Sequence, residues 1–365
     1  MALKCGIVGL PNVGKSTLFN CLSNAKAQSA NFPFCTIEPN IGTITVPDNR
    51  LSDLEKLVNP EKVIPTTIEI VDIAGLVKGA HKGEGLGNQF LANIREVDSI
   101  IHVIRCFDDD NVIHVDGKVN PVSDKEIIDL ELQLKDLETL EKRITSLERK
   151  VKTGDKEASR AYNLYVEARD HLLKGKSIRS LVLEESTFKI LDELQLITAK
   201  PVIYVCNVDE SSVNKGNNHV DMIKNLISDE NAEILILGAA IEADIAELTD
   251  FEERKMFLDD LELDEPGVSK LIKKAYSLLN LQTYFTAGEK EVRAWTIKKG
   301  MTAPQAAGVI HTDFEKGFIK AEVIKFEDFL KYKSEIAVKE AGKLMIQGKE
   351  YILSDGDVMH FRFNV

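Results

Sequence analysis

Residues 9–17 read GLPNVGKST and match the pattern G-x-x-x-x-G-K-[ST]. An apolar strand pattern at 3–8 precedes this stretch, and a helical pattern at 16–25 follows it. Strand, loop and helix in this order form a phosphate-binding loop, because main-chain N–H groups at the start of the helix face the phosphate oxygens. The sequence therefore predicts a site for a nucleotide polyphosphate.

The side chains of this loop have separate predicted tasks. Lys15 is expected to reach the β and γ phosphates, and Ser16 is expected to bind Mg²⁺. Glycine at positions 9 and 14 allows the backbone to come close to the ligand. The predicted nucleotide-binding residues of the loop are Asn12, Val13, Gly14, Lys15, Ser16 and Thr17.

A second motif, D-x-x-G, ends the predicted strand in TTIEIVDIAG at 66–75. Asp72 is expected to meet Mg²⁺ through water and the N–H of Gly75 to meet the γ phosphate, so that the loop senses whether that phosphate is present. Thr36 is the candidate second hydroxyl ligand of the metal, and a buried or turn-capping threonine is the alternative. The predicted metal ligands are thus Ser16, Thr36 and Asp72.

The composition is typical of a soluble globular protein. Hydrophobic residues make up 44% of the 365 residues, and no apolar run is long enough to span a bilayer. The five cysteines are scattered without a C-x-x-C pair, which suits a reducing cytosol. The first strand pattern begins so close to Met1 that we expect no cleavable signal peptide. We therefore expect a cytoplasmic protein without a membrane partner.

The charge of the chain is unevenly distributed. A net charge of −13 argues against nonspecific nucleic-acid binding by the surface as a whole. Residues 142–179 nevertheless carry a local net charge of +6, whereas residues 228–265 carry −12. This distribution is compatible with one basic face on an acidic protein, and a solvated helix surface is the alternative explanation of the basic segment.

Strand and helix patterns alternate along the first 124 residues, which predicts an α/β fold with a mostly parallel sheet and ligands at the carboxyl ends of its strands. The predicted strands of this sheet are 4–9, 42–46, 66–72, 99–107, 201–206 and 233–238. Between the fourth and fifth of these strands, apolar residues recur at intervals of seven. This pattern is interrupted at 153–155, which predicts an antiparallel helical hairpin. The predicted domains are a discontinuous nucleotide-binding domain at 1–124 and 199–281, a helical insertion at 125–198 and a small α+β domain at 282–365.

Four stretches of the sequence resemble the Obg-like ATPase family, the YchF proteins within the Obg group of P-loop NTPases. They are GLPNVGKST at 9–17, NFPFCTIEPN at 31–40, DIAGLVKGAHKGEGLGNQFL at 72–91 and AWTIKKGMTAPQAAGVIHTDFEKGFIKAE at 294–322. The similarity covers essentially the whole chain. It implies a Ras-like G domain with an inserted helical coiled-coil arm and a C-terminal TGS domain of β-grasp fold.

The base-reading segment departs from that of the Ras-like GTPases, which carry N-K-x-D after the fifth strand and accept two guanine hydrogen bonds on the Asp. This chain has Asn207-Val208-Asp209-Glu210 there. Glu210 is a methylene longer than the guanine-reading Asp, whereas the Asn207 carboxamide can pair with adenine N6 and N7. ATP is therefore favoured over GTP, as the resemblance also implies, with Asn207 and Val208 in the nucleotide-binding set. The alternative is that Asp209 shifts register and reads guanine.

The water-orienting position departs as well. Ras-like enzymes use a Gln directly after D-x-x-G, but Leu76 stands there in this chain and has no group to orient water. His114, in the polar loop 108–117, can hold or deprotonate water. A loop histidine is seldom catalytic on sequence grounds alone, but the family resemblance favours this role. The predicted catalytic residues are His114, Lys15 and Gly75.

Asn12 is a candidate ligand for K⁺. Related GTPases that lack the water-positioning Gln often bind this ion through an Asn at the same loop position, where it supplies positive charge. Simple capping of the loop by Asn12 is the alternative.

Sequence and resemblance together predict a Mg²⁺-dependent ATPase whose nucleotide state changes its affinity for a large partner. By resemblance, that partner is the ribosome, either its large subunit or the whole particle, contacted through the TGS domain and the basic arm. Ribosomal RNA is a candidate contact of both, and the protein is expected to be a monomer. Two alternatives stay open: a GTPase of the same fold, and a nucleotide-gated interaction protein with negligible turnover.

Overall fold

Strands and helices alternate through the first half of the chain. The computed structural model describes residues 3–28, 41–73, 88–114, 117–230 and 232–364. The strands are β1 (Lys4–Val8), β2 (Ile41–Thr45), β3 (Val63–Ile64), β4 (Thr67–Asp72), β5 (Ser99–Arg105), β6 (Val202–Asn207), β7 (Glu233–Leu237), β8 (Leu281–Ala287), β9 (Val292–Lys298), β10 (Phe318–Ile324), β11 (Met345–Gln347) and β12 (Val358–Phe363). The helices are α1 (Lys15–Gln28), α2 (Asn49–Val58), α3 (Asn88–Glu96), α4 (Pro121–Lys152), α5 (Lys156–Leu172), α6 (Glu185–Asp192), α7 (Asn218–Leu226), α8 (Ala239–Glu247), α9 (Phe251–Asp260), α10 (Gly267–Leu278), α11 (Ala303–Ile310), α12 (Thr312–Lys316), α13 (Phe326–Tyr332) and α14 (Glu335–Glu340).

The first of two compact units contains the phosphate-binding loop and, within the described ranges, residues 3–28, 41–43 and 69–271. Its sheet has the order β2-β4-β1-β5-β6-β7. Strand β1 pairs in parallel with β4 and β5, and β6 pairs in parallel with β5 and β7. All residues of β5 and β6 are buried, as expected for central strands that are covered on both faces. The predicted α/β fold is confirmed, and the carboxyl ends of these parallel strands lie at one edge of the sheet.

Helices α4 and α5 form the predicted hairpin. Asp155 begins α5 by accepting hydrogen bonds from the N–H groups of Glu157 and Ala158. The facing sides of the two helices bury Leu140 and Leu164 in a shared apolar cluster. Leu137, Ile144 and Leu147 of the apolar stripe also join this cluster, whereas Leu130 and Leu134 are exposed. None of the helices in the described part of the chain combines the length and the apolar character needed to cross a membrane.

The second unit contains a mixed sheet with the order β11-β10-β12-β8-β9-β3. Strands β8 and β9 form an antiparallel hairpin, and β12 pairs with β8 in parallel. Small residues of α11 allow this helix to pack closely on the sheet, where Ala303 and Ala307 share a buried cluster with Tyr284 and Phe361. A helix packed on such a mixed sheet is the arrangement expected for a β-grasp fold.

The second unit also takes in residues 44–68, which the sequence had grouped with the nucleotide-binding domain. The physical reason is α2, whose Leu51 and Leu54 lie in one buried cluster with Phe285. Arg50 adds a hydrogen bond of 2.7 Å from Nη1 to Asp355 Oδ2. In this segment, the boundaries of the two compact units therefore differ from those of the predicted domains.

Candidate functional site

The phosphate-binding loop has the backbone conformation that its sequence requires. Three of its residues have positive φ angles: Gly9 at 150°, Asn12 at 61° and Gly14 at 96°. A Cβ atom at Gly9 would overlap the carbonyl oxygen of Val103, and one at Gly14 would overlap Nδ2 of Asn207. Both glycines are therefore needed for conformation and for close packing of the loop against neighbouring strands.

Lys15 begins α1 and is only 6% exposed. Its ammonium group donates a hydrogen bond to the carbonyl oxygen of Leu10. Burial lowers the pKa of Lys15 to about 8, against the opposing attraction of the Asp72 carboxylate. A buried cation that lies inside a loop of main-chain N–H groups is suited to an anionic ligand such as a triphosphate.

This lowered pKa predicts how nucleotide affinity depends on pH. Below pH 8 Lys15 is charged in the free protein, whereas above pH 8 it must take up a proton to meet the phosphates. We expect the Kd for ATP to be steady from pH 6.5 to 7.5 and then to rise by up to about tenfold per pH unit. Calorimetric titration between pH 6.5 and 9.5 measures this, and a flat Kd over the whole range would contradict it.

The donor set beside Lys15 fits a magnesium ion. Ser16 is exposed at the start of α1, and Asp72 ends β4 at a position paired with Ile7 of β1. Hydroxyl and carboxylate oxygens are ligands that Mg²⁺ prefers. Three other predicted positions, Thr36, Gly75 and the neighbouring Leu76, lie outside the described residues.

Asn207, at the end of β6, connects two segments of the site. Its Nδ2 donates to the carbonyl of Val13 at 2.9 Å, and its Oδ1 accepts from the N–H of Ala239 at 2.8 Å. The side chain therefore ties the phosphate-binding loop to the start of α8. Each of the two atoms has one further hydrogen-bonding position, so pairing with adenine remains a prediction.

The residues that follow Asn207 enter a short 3₁₀ turn, Glu210–Ser212. Asp209 caps this turn, because its Oδ1 accepts from the hydroxyl of Ser211 at 2.6 Å and from the N–H of Ser212 at 3.1 Å. These bonds, led by the one from Ser211, lower the pKa of Asp209. Val208 is buried and Glu210 is exposed. Oδ1 of Asp209 is thus bonded within its own turn, which disfavours its use as a guanine reader.

His114 lies close to the phosphate-binding loop in space, although 101 positions separate its neighbour Ile113 from Asn12 of the loop. The preceding residue, Ile113, accepts a 3.1 Å hydrogen bond at its carbonyl from Nδ2 of Asn12. The imidazole is buried, and its Nε2 lies 3.0 Å from Oδ2 of Asp124 on the first turn of α4. A carboxylate in this position fixes the orientation of a histidine that acts as a base.

Two residues of this neighbourhood were missed by the sequence predictions. Asp124 carried no signal beyond its place near a helix start, and Arg105 appeared only as the polar end of an apolar strand, SIIHVIR. Arg105 is 1% exposed and donates to three carbonyl oxygens of the loop that leads to His114. A charged residue at the carboxyl end of a buried strand was the available clue to it.

Known proteins match the chain along its whole length. A family model described as a 50S ribosome-binding GTPase matches residues 4–150. A model named for the C-terminal part of YchF GTPases, described as a protein of unknown function, matches residues 281–364.

Full-length relatives point to one family. The chain is 54% identical to the ribosome-binding ATPase YchF of Bacillus subtilis and 55% identical to that of Escherichia coli O157:H7, with 100% of both chains covered in each case. The solved structure of the Schizosaccharomyces pombe YchF GTPase matches with a TM-score of 0.90 at 39% identity, covering 99% of this chain and 97% of that one. The phosphate-binding loop, the helical hairpin and the C-terminal mixed sheet occur together in this chain, and these matches show that it belongs to the YchF family.

Proposed function

We propose that this chain is a cytoplasmic Mg²⁺-dependent ATPase that hydrolyses ATP to ADP and phosphate and whose nucleotide state controls its binding to the ribosome. The observation that carries the proposal is the hydrogen bond between Asn12 of the phosphate-binding loop and the carbonyl of Ile113. His114 directly follows Ile113, and in our proposal it is the group that acts beside the γ phosphate held by the loop.

The phosphate-binding loop and Lys15 would bind the phosphates of ATP. Main-chain N–H groups of residues 12–17 would surround the phosphates, while the Lys15 ammonium would exchange the Leu10 carbonyl for β and γ phosphate oxygens. Ser16 and Asp72, with Thr36, would hold Mg²⁺, which when bound neutralises charge on those phosphates. The N–H of Gly75 would meet the γ phosphate and report its presence.

The attacking water needs a group that holds it or takes its proton. In our proposal His114 does this, and Asp124 keeps the imidazole in one orientation. Asn12 donates to Ile113 through its nitrogen, and its carbonyl oxygen is the candidate ligand for K⁺. A bound K⁺ there would add positive charge beside the γ phosphate.

A preference for ATP over GTP follows from the segment after β6. Guanine recognition needs a carboxylate of the right length, and Asp209 uses its own on Ser211 and Ser212. Glu210 stands at the guanine-reading position but carries an extra methylene. Asn207 retains one donor and one acceptor position, which are the groups that adenine N7 and N6 require.

The ribosome as a partner is inferred from the relatives, which are named ribosome-binding ATPases. The charge of the arm supports this partner, because residues 142–179 carry a net charge of +6 on an acidic protein. We propose that the arm and the C-terminal unit contact the particle and that ribosomal RNA is among the groups they meet. Binding through phosphates would weaken with increasing salt.

Nucleotide preference is tested by titrating ATP and GTP separately and by measuring phosphate release from each. We expect ATP to bind at least about tenfold more tightly than GTP, because the site lacks a suitably placed guanine partner. Submicromolar GTP binding with ATP a hundredfold weaker would overturn the adenine assignment.

A matched pair of variants sharpens this test. Glu210→Asp restores the length of the guanine-reading carboxylate and is expected to strengthen GTP binding. Asp209→Asn changes the neighbouring carboxylate and is expected to leave the preference as it is. If Asp209→Asn instead removed GTP binding, the GTPase alternative with a shifted register would be the better account.

A further inference from the structure

Arg105 is the last residue of β5, and its side chain is among the largest that are fully buried. Its guanidinium donates from Nε to the carbonyl of Phe107 at 3.1 Å, from Nη1 to that of Val112 at 2.8 Å and from Nη2 to that of Asp109 at 3.0 Å. The guanidinium carbon also lies 4.6 Å from the centre of the Phe107 ring. One side chain thus contacts the beginning, middle and end of the loop that precedes His114.

This arrangement determines the path of the loop. A guanidinium is planar and presents its donors in a fixed fork, so three carbonyl groups bonded to it must point towards one centre. Asp108, Asp109 and Asp110 remain exposed on the outside of the loop. The positive charge of Arg105 is buried, and the three carbonyl dipoles solvate it in place of water.

The two ends of the loop are fixed as well. The carbonyl of Cys106 accepts a 2.7 Å hydrogen bond from Nδ2 of Asn217, and the carbonyl of Ile113 accepts from Asn12. Between these points Arg105 bonds to three residues of the loop interior. Its loss would remove these three bonds from the stretch 107–112, which would keep the bond from the Val112 N–H to the Asp109 carbonyl and the contact between His219 and Asp108.

We propose that Arg105 is a positioning residue for ATP hydrolysis, holding the loop so that His114 reaches the attacking water. This inference rests on the proposed role of His114. In this proposal Arg105 acts on the loop, through the three N–H donors that bond to main-chain carbonyls, and not on a reacting atom. It therefore affects kcat through the position of His114 and has little effect on ATP binding.

The test measures kcat and the Kd for ATP in Arg105→Met and Arg105→Lys. Methionine keeps much of the apolar stem, and lysine keeps the charge but cannot bond to three carbonyls in a fixed fork. We expect kcat to fall roughly tenfold to a hundredfold in both, since small displacements of a catalytic group have effects of this size. The Kd for ATP should change less than about threefold, within the context dependence of single contacts.

Arg179→Met is the matched control, because Arg179 is also a buried arginine, bonded to the carbonyl of Lys200 and to Glu230 in another part of the same unit. It should lower the melting temperature without lowering kcat per folded molecule. If Arg105→Met fails to fold, the kcat of Arg105→Lys decides the test. An unchanged kcat in either folded variant overturns the proposal.

Combination with His114→Asn separates this inference from the proposed function. If Arg105 acts through His114, then Arg105→Lys should cause no further loss of kcat in the His114→Asn background. Independent, multiplicative losses would overturn the positioning role while leaving His114 catalytic. If His114→Asn alone had no effect on kcat, the proposed function of His114 would fail first, and the positioning role would fail with it.

Discussion

Lys15→Met is expected to lower kcat/KM for ATP by at least about a thousandfold, the range seen when a cation on the transferring phosphoryl group is lost. The ammonium is the cation that the phosphate-binding loop itself supplies, and methionine fills similar space without charge or donor. Nucleotide binding and phosphate release by the purified variant measure the effect. ATP binding at the parental Kd together with parental turnover would contradict it.

The same substitution should stabilise the nucleotide-free protein. Burial lowers the pKa of Lys15 from 10.5 to about 8, so keeping its proton at neutral pH lowers the folding stability, and removing the charge recovers about 3 kcal/mol. The sign follows from linkage: the unfolded chain binds this proton more tightly, so the parent gains stability as pH rises from 8 towards 10.5. Urea unfolding should therefore give Lys15→Met a higher free energy of unfolding than the parent at pH 7 and a nearly equal one at high pH. Lys4→Met, at a half-buried lysine paired with Glu69, is the control and should show neither effect.

His114→Asn is expected to lower kcat about a hundredfold with an unchanged Kd for ATP, as for the loss of a general base. Asparagine can still donate a hydrogen bond to the buried Asp124 carboxylate, so the fold is disturbed less than by alanine. Single-turnover hydrolysis, followed with and without ribosomes, measures the loss.

The matched control for this variant is His171→Asn. His171 is bonded through Nε2 to the hydroxyl of Ser180 within the arm region, at 2.9 Å. Its replacement should leave kcat unchanged. If basal and stimulated rates of His114→Asn both equal those of the parent, His114 has no catalytic role.

The parallel sheet and the phosphate-binding loop could be predicted from the sequence because their patterns are local. A strand such as β5 is a continuous apolar run, and the loop between β1 and α1 has a fixed spacing of glycines and lysine. The hairpin arm was predictable for the same reason, since a heptad stripe followed by Thr153-Gly154-Asp155 specifies two helices and the turn between them.

Helix α2 was missed although Asp48 caps it and Leu51, Leu54 and Leu57 have helical spacing, and its packing partners are distant in sequence. Leu51 and Leu54 pack with Phe285, more than two hundred positions further along the chain. Such contacts decide to which unit a segment belongs, and a window of neighbouring residues does not contain them.

The candidate site was predictable only where a motif fixes both residue and spacing. Lys15, Ser16 and Asp72 satisfy that condition. Asp124 does not, because its relation to His114 depends on where α4 begins relative to the preceding loop. Arg105 does not either, since its three partners are main-chain carbonyl groups. Every residue has such a group, so the sequence does not indicate which ones an arginine will bond to.

Asn207 illustrates a different limit of prediction from sequence. Its residue type was predictive of a polar contact at the carboxyl end of β6, and the structure adds that the side chain bonds to Val13 and Ala239. A residue that braces the phosphate-binding loop and is also proposed to meet the base would couple the two parts of the site. Which hydrogen-bonding positions remain for a base depends on this three-dimensional arrangement.

The most direct test of the account is phosphate release from ATP by the purified protein with Mg²⁺, measured with and without ribosomes against Lys15→Met as background. We predict release from ATP above that background, an increase when ribosomes are present, and slower release from GTP under the same conditions. Release no greater than that of Lys15→Met in both conditions, or release from GTP alone, would contradict the proposal that this chain is a ribosome-linked ATPase.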